Sequence, residues 1–324
     1  MRPLELFAAI DVGSNAIRFR LFELDADKGI REIRRNRYPV QLGRGVFSDG
    51  QLAPRDMARA AEAIALAVRE ANHAGTNQIC AVATSAAREA ANSQALIDQV
   101  QSASGISLRI ISSDEEAQLA ALGACRGQLP GAPSYVIDIG GGSTEIIALD
   151  ANGIISWHRS LPLGAVRLLR GTSAEADGNA SLVAEMVASV DREIAGGLAG
   201  ADSADCMEGP AQPKDIAALP APQAWALGGT PAALVDMLNV AGKALGARPE
   251  ISADAVNFCL DIIKDLPPAE LTNRYGVPPA RAPLLLPGTV ILARLMAALH
   301  LRHVLPSDAG VCEGLACRAL KTSH

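Results

Sequence analysis

Hydrophobic and polar positions along this chain follow two periods, and the switch between them recurs in a fixed order. Residues 7–11 form an apolar run of strand type that ends in a carboxylate. Residues 16–24 alternate as a second strand, and 29–37 as a third. From 55 to 73 the period becomes helical, with Ala58, Ala61, Ile64, Ala65 and Val68 on one face. A buried-type strand at 78–84, a helix at 93–104 and a strand at 107–112 follow. Asp114-Glu115-Glu116 then opens a helix that runs to about 126. Alternation of this kind predicts an α/β layer architecture.

The second half repeats the order. Residues 135–138, 145–149 and 153–160 read as a three-strand meander, and 181–198 as a helix with Leu182, Val183, Met186, Val190 and Ile194 on one face. Residues 199–223, rich in Ala, Gly, Pro and Asp, read as an exposed flexible insertion. A strand at 224–227 ends in Gly228-Gly229-Thr230, a Gly-rich turn that leads into a helix. Helices at 252–266 and 287–300, a segment at 305–310 and a helix from Cys312 complete the chain. The expected domains are 1–128 and 129–324, with the terminal helix packing back on the first.

At 324 residues and 49% hydrophobic content, two cores are the better expectation. The net charge of −6 excludes nucleic-acid binding driven by an overall positive field. The six cysteines (80, 125, 206, 259, 312, 317) form no CxxC pair, and the five histidines lack metal-site spacing. That pattern suits reduced thiols in the cytoplasm. No leader pattern and no apolar run of membrane-spanning length is visible, so neither a membrane nor a nucleic acid is an expected partner.

The chemistry sits where the two halves repeat each other. Asp11-Val12-Gly13-Ser14-Asn15 closes the first strand of one half, and Asp138-Ile139-Gly140-Gly141-Gly142-Ser143-Thr144 closes that of the other. Glycines let backbone N–H groups approach an anion, and a strand-end Asp can hold a divalent cation. Two such turns in matching contexts point to two half-sites for one polyanion.

These residues resemble the exopolyphosphatase and guanosine pentaphosphate phosphohydrolase family, in the superfamily of actin, sugar kinases and the heat-shock chaperone ATPase. The matching stretches include IDVGSN at 10–15, ATSAAREAAN at 83–92, ISSDEEAQLAALGA at 111–124, VIDIGGGSTE at 136–145, LPLGAVRL at 161–168 and ALGGT at 226–230. They continue with LPGTVIL at 286–292 and SDAGVCEGL at 307–315. The resemblance is to the short, two-domain type, and it implies two actin-like (ribonuclease H-like) domains with a cleft between them.

The resemblance makes Glu116 the base that activates water, with Asp11 and Asp138 holding Mg²⁺. Mn²⁺ is the alternative ion, and a monovalent cation is a possible additional requirement. Ser14, Asn15, Arg88, Gly140, Gly141, Gly142, Ser143 and Thr144 would bind phosphate, with Gly228, Gly229 and Thr230 at the substrate's distal end. The implied reaction is Mg²⁺-dependent release of orthophosphate from the end of inorganic polyphosphate, by a homodimer. Guanosine pentaphosphate is the alternative substrate; a sugar-kinase-like phosphotransferase and a non-catalytic polyphosphate or alarmone sensor are rivals of other classes. Plainer readings stand beside these: acidic residues also favour a helix N-terminus, and Arg88 could pair with Glu89 or Glu62. Arg31, Arg34, Arg35, Arg37 and Arg44 form the one dense basic cluster, either a polyanion track or a solvated strand face. His300 and His303 read as structural. Two departures stand out: Gln41 and Cys312 occupy positions where the family commonly carries Arg.

Overall fold

The computed structural model describes residues 5–76, 78–126, 131–172, 179–199, 223–243 and 249–322. The expected insertion lies outside them, except that residue 199 ends a helix and 223 begins a strand. The chain forms two compact units, Met1–Gln128 with Ala309–His324, and Leu129–Asp308. The last sixteen residues, assigned from sequence to the second domain with their helix folding back, thus count with the first unit.

In the first unit, β1 (Glu5–Val12), β2 (Ala16–Asp25) and β3 (Gly29–Pro39) form an antiparallel meander, followed by short α1 (Gly43–Asp49) and long α2 (Pro54–His73). Then come β4 (Ile79–Ala83), α3 (Ser85–Glu89), α4 (Ser93–Ser104), β5 (Leu108–Ile110) and α5 (Ser113–Cys125). The sheet order is β3-β2-β1-β4-β5, with β4 and β5 parallel to β1. The period-two alternation divides β1 between two cores. Ala8, Ile10 and Val12 join Ile64 of α2 and Leu96 of α4. Phe7 and Ala9 join Leu119 of α5 and Leu315 of the terminal helix α12 (Val311–Thr322). Glycine permits the close crossing of α5 and α12: a Cβ on Gly314 would stand 2.7 Å from the Leu119 carbonyl carbon.

The second unit repeats the plan. β6 (Ser134–Ile139), β7 (Thr144–Leu149) and β8 (Ile155–Leu161) form its meander, followed by short α6 (Ala165–Gly171), long α7 (Asn179–Ala199) and β9 (Gln223–Leu227). After them come α8 (Gly229–Val240), β10 (Ile251–Ser252), α9 (Ala253–Asp265), α10 (Pro268–Tyr275), α11 (Ala282–Ala298) and β11 (His303–Ser307). The order is β10-β11-β9-β6-β7-β8, with β9 parallel to both β6 and β11. Ile137, Met186, Leu234 and Val290 share its core. Helix α11 starts at Ala282, five residues before the expected 287. Pro283 suits its first turn, and Pro287 lies inside the helix rather than opening it. The short helices α1, α3, α6 and α10 were not expected from the sequence, since one or two turns display no readable periodicity.

Candidate active site

In the first unit Asp11 is the penultimate residue of β1 and only 5% exposed. The turn behind it is closed by Gly13 N–H donating to the Ala16 carbonyl (3.2 Å). The Ser14 carbonyl accepts from Gly43 N–H (2.7 Å), and the Asn15 carbonyl from Val40 (3.2 Å) and Gln41 (2.9 Å). Gln41 adopts a left-handed φ of 62° to make its bond. Across the meander, Asp11, Arg18 and Arg37 are register partners. Arg18 Nη1 lies 3.5 Å from Asp11 Oδ2. Arg37 is exposed on the edge strand β3, beside the like charge of Arg18.

Glu116 enters the same unit from α5. Ser112 caps that helix, its hydroxyl accepting from Glu115 N–H at 3.1 Å. The three acids of the first turn then part company. Asp114 is exposed. Glu115 accepts from Arg109 (2.9 Å) and Arg318 (2.5 Å), and those bonds hold its carboxyl below the usual range. Glu116 is buried and accepts from Arg88 Nη1 at 2.9 Å, which donates equally to the Ile111 carbonyl. Arg88 reaches it from α3, whose entry is tied to β1 by Thr84 N–H donating to the Val12 carbonyl (3.3 Å). Arg109 and Arg318 therefore account for Glu115, whereas the buried Glu116 takes Arg88. The ion pair that Arg88 forms in the structure is with Glu116.

The second unit holds a matching turn. Gly140 N–H donates to the Ser143 carbonyl (3.0 Å), as Gly13 does to Ala16. The start of α6 then takes the glycine carbonyls. Ala165 N–H donates to Gly140, Val166 and Arg167 N–H to Gly141, and Arg167 Nε to Gly142 (2.6–3.0 Å). Four hydrogen bonds to the three glycine carbonyls thus fix the loop against the start of α6. Ser143 is buried, and Thr144, wholly buried, spends its hydroxyl on the Leu163 carbonyl. Asp138 is 7% exposed, with Glu145 as its register partner and Ser160 donating to Glu145 at 2.9 Å.

The third turn abuts this one. Gly228 has φ 97°, and a Cβ there would stand 2.7 Å from the Ile139 carbonyl and 3.6 Å from Asp138 Oδ1. Only glycine allows that approach. The Arg281 guanidinium lies against Gly229, and buried Thr230 packs on Gly288. Arg18, Glu145, Arg167 and Arg281 were not among the residues singled out from the sequence. Glu145 and Arg167 stood inside quoted motifs, and Arg18 is marked only by strand register. Arg281 carries no sequence signal.

Leu42-Gly43 and Leu163-Gly164 are a further repeat that becomes meaningful only in the fold. Each follows a meander's third strand and presses a glycine on the phosphate-type turn: a Cβ on Gly43 would lie 3.0 Å from Ser14 Cβ, and one on Gly164 2.5 Å from Gly142 N.

The donor set fits a hard cation. Among the described residues there is no group of three or more His, Cys, Asp or Glu able to hold a metal. Each unit instead offers a strand-end Asp beside a turn. Mg²⁺ takes one or two protein carboxylates and fills its octahedron with water and phosphate oxygens.

Several side readings also resolve. Arg31 pairs with Glu23, Arg34 with Glu70 (3.0 Å) and Arg35 with Glu32 (2.5 Å), so much of the basic cluster is an ion-paired strand face. Cys312 is buried beneath β1 and β2, its Sγ 3.9 Å from the carbonyls of Ala9 and Arg18. Burial, then the charges of Asp11 and Glu313, push that thiol well up. His303 comes within 3.9 Å of Glu250, and His300 holds a φ of 53° after α11. Among the described residues, no helix is long and apolar enough to cross a membrane.

The sequence profile of the Ppx/GppA phosphatase family matches residues 22–323. The chain belongs to that family. Exopolyphosphatase 2 of Mycobacterium tuberculosis is 34% identical over 171 residues, which is 50% of this chain and 53% of that protein. The chain thus spans about half the length of the curated relatives it matches. An exopolyphosphatase from Cytophaga hutchinsonii covers 98% of both chains with a TM-score of 0.83 at 19% identity. A Ppx/GppA family member from Aquifex aeolicus covers 99% of this chain and 100% of its own, with a TM-score of 0.76 at 23% identity. At such identities the likeness shows fold alone: both units are actin-like α/β domains.

Proposed function

We propose that this chain is an exopolyphosphatase, hydrolysing the terminal phosphoanhydride of inorganic polyphosphate with Mg²⁺ and releasing orthophosphate. The observation that carries the reading is Glu116: a carboxylate buried one turn into α5, bonded to an arginine, in the unit whose first strand delivers Asp11 to a glycine turn. The relatives named exopolyphosphatase support the substrate class.

In this reading Glu116 accepts the proton of a water that attacks the terminal phosphorus in line. The amides of Gly141, Gly142 and Ser143, with Ser14 and Asn15, bind phosphoryl oxygens and stabilise the charge that develops on them, while the Gly140 amide closes the turn on the Ser143 carbonyl. The Thr144 hydroxyl donates to the Leu163 carbonyl, so a part for Thr144 in phosphate binding would fall to its remaining polar atoms. Asp11 and Asp138 would hold Mg²⁺, which when bound neutralises phosphate charge. Leaving-group protonation has no assigned residue and falls to solvent. No covalent intermediate is invoked.

The same groups would act on the terminal phosphate of guanosine pentaphosphate, since the reacting end is identical. Phosphate release from polyphosphate of several lengths, guanosine pentaphosphate and ATP tests the reading. Polyphosphate should give the highest kcat/KM. A preference for guanosine pentaphosphate would reassign the substrate, product from ATP only with a sugar acceptor would indicate a kinase, and binding without release would indicate a sensor. We also propose that the protein is a cytoplasmic homodimer, which sedimentation and cell fractionation test.

A further inference from the structure

Arg88 stands between two claimants. Its Nη1 donates at 2.9 Å to both Glu116 Oε2 and the Ile111 carbonyl, which leaves Nε and Nη2 as the remaining donor positions of the fork. The Arg88 side chain is 25% exposed and that of Glu116 9%, so the arginine is the more open to solvent of the two. A carboxylate bonded to a guanidinium is a poorer proton acceptor, because that bond stabilises its charged form. A phosphoryl group is the better partner for a planar fork, with more charge and two oxygens in register.

We propose that Arg88 is a phosphate-operated latch on Glu116. The guanidinium holds the carboxylate until a phosphoryl group of the polyanion arrives, then transfers to it and frees Glu116 to accept a proton. One N–H···O bond is exchanged for another, with no covalent change. The proton moves only afterwards, from water to Glu116, during hydrolysis. The proposal rests on the polyphosphatase reading and adds its regulation: the base is released where and when a phosphate is bound. Arg18 beside Asp11 repeats the pairing, so both acids assigned to this unit's chemistry have an arginine within 4 Å. Arg88 is thus a positioning residue for Glu116 as well as a phosphate ligand.

The test is a double-mutant cycle on binding, read by titration calorimetry with non-hydrolysable imidotriphosphate and MgCl₂. Wild type, Glu116→Gln, Arg88→Gln and the double variant are compared, each checked for a native thermal transition. If the latch is closed in about nine molecules of ten, opening it raises apparent affinity about tenfold. Glu116→Gln should therefore bind about tenfold tighter than wild type, and the gain should shrink to less than about twofold in the Arg88→Gln background. Glu116→Ala, which removes the acceptor outright, should show at least the same gain and serves if the Gln variant does not fold. An equal gain with and without Arg88 would mean simple charge repulsion and would overturn the latch, as would no gain. No binding by any of the proteins, wild type included, would instead overturn the polyphosphatase reading and the latch with it.

Discussion

Gly164→Ala probes how the second unit's phosphate turn is held. Gly164 sits at φ −140°, ψ 160°, extended backbone that alanine adopts freely, so the effect is steric. The new Cβ would lie 2.5 Å from Gly142 N, whereas ordinary contact begins at 3.4 Å. The obstacle is backbone, so the turn and the start of α6 must separate by about 1 Å, which strains the bonds from residues 165–167 to the glycine carbonyls. Overpacking of this kind costs about 1–3 kcal/mol. Alanine's smaller loss of chain entropy offsets about 0.4–1 kcal/mol. The net is a destabilisation of about 1–2 kcal/mol, or roughly 3–6 °C in the unfolding midpoint. Activity should fall further, about 100-fold in kcat/KM, because a 1 Å error in the groups around the reacting phosphate is costly. Phosphate release and thermal unfolding are measured together, with Gly171→Ala as control. That glycine ends the same helix with nothing within 4 Å of its Cβ position, so alanine there should leave both readings unchanged or slightly raise stability. Gly43→Ala should be milder, within about threefold in kcat/KM, because its nearest obstacle is the movable Phe47 ring. Wild-type kcat/KM in Gly164→Ala, or equal losses in Gly171→Ala, would refute the reasoning.

Two further predictions concern stability. Glu313 and Arg20 form a buried pair at 2.7 Å, and Glu313 also accepts from Gly310 N–H. Glu313→Ala should lower the urea midpoint by the equivalent of about 2–3 kcal/mol. That is less than the ~3–5 kcal/mol for an orphaned buried charge, since Arg20 keeps Glu32. Burial raises Cys259 and Cys317 to about 11. In the unfolded chain these thiols ionise near 8.5, so the native state holds their protons longer. Stability from this source is full below about pH 8.5 and is lost as pH rises to about 11, on the order of 3 kcal/mol per thiol. Urea midpoints from pH 8 to 11 should fall accordingly, and Cys259→Ala should flatten the second unit's share of the decline.

Long elements were legible because burial imposes a period on them. The 55–73 pattern lies within Pro54–His73, and the helix expected at 93–104 spans those residues. The doubled Asp-Gly turn was legible because a chemical requirement had been written twice. Contacts set by register or by space were not. Arg18 reaches Asp11 because β2 pairs with β1 at that residue, and no linear spacing reports a cross-strand partner. Arg281 meets Gly229 from a separate loop. Thr144 reads as a phosphate donor by its place in the motif, yet the first residue of β7 points its hydroxyl to Leu163. Gln41 departs from the family pattern, and its left-handed backbone serves the Asn15 carbonyl. Cys312 departs likewise, but it packs behind the strands where a sequence can show only its identity.

The most direct test of the account is Glu116→Gln, assayed for phosphate release from polyphosphate at saturating Mg²⁺ alongside binding of imidotriphosphate. Removing a general base costs about 10²–10⁴ in rate. The account predicts kcat lower by about a thousandfold with binding about tenfold tighter. A variant that keeps more than about a tenth of the wild-type kcat would contradict it.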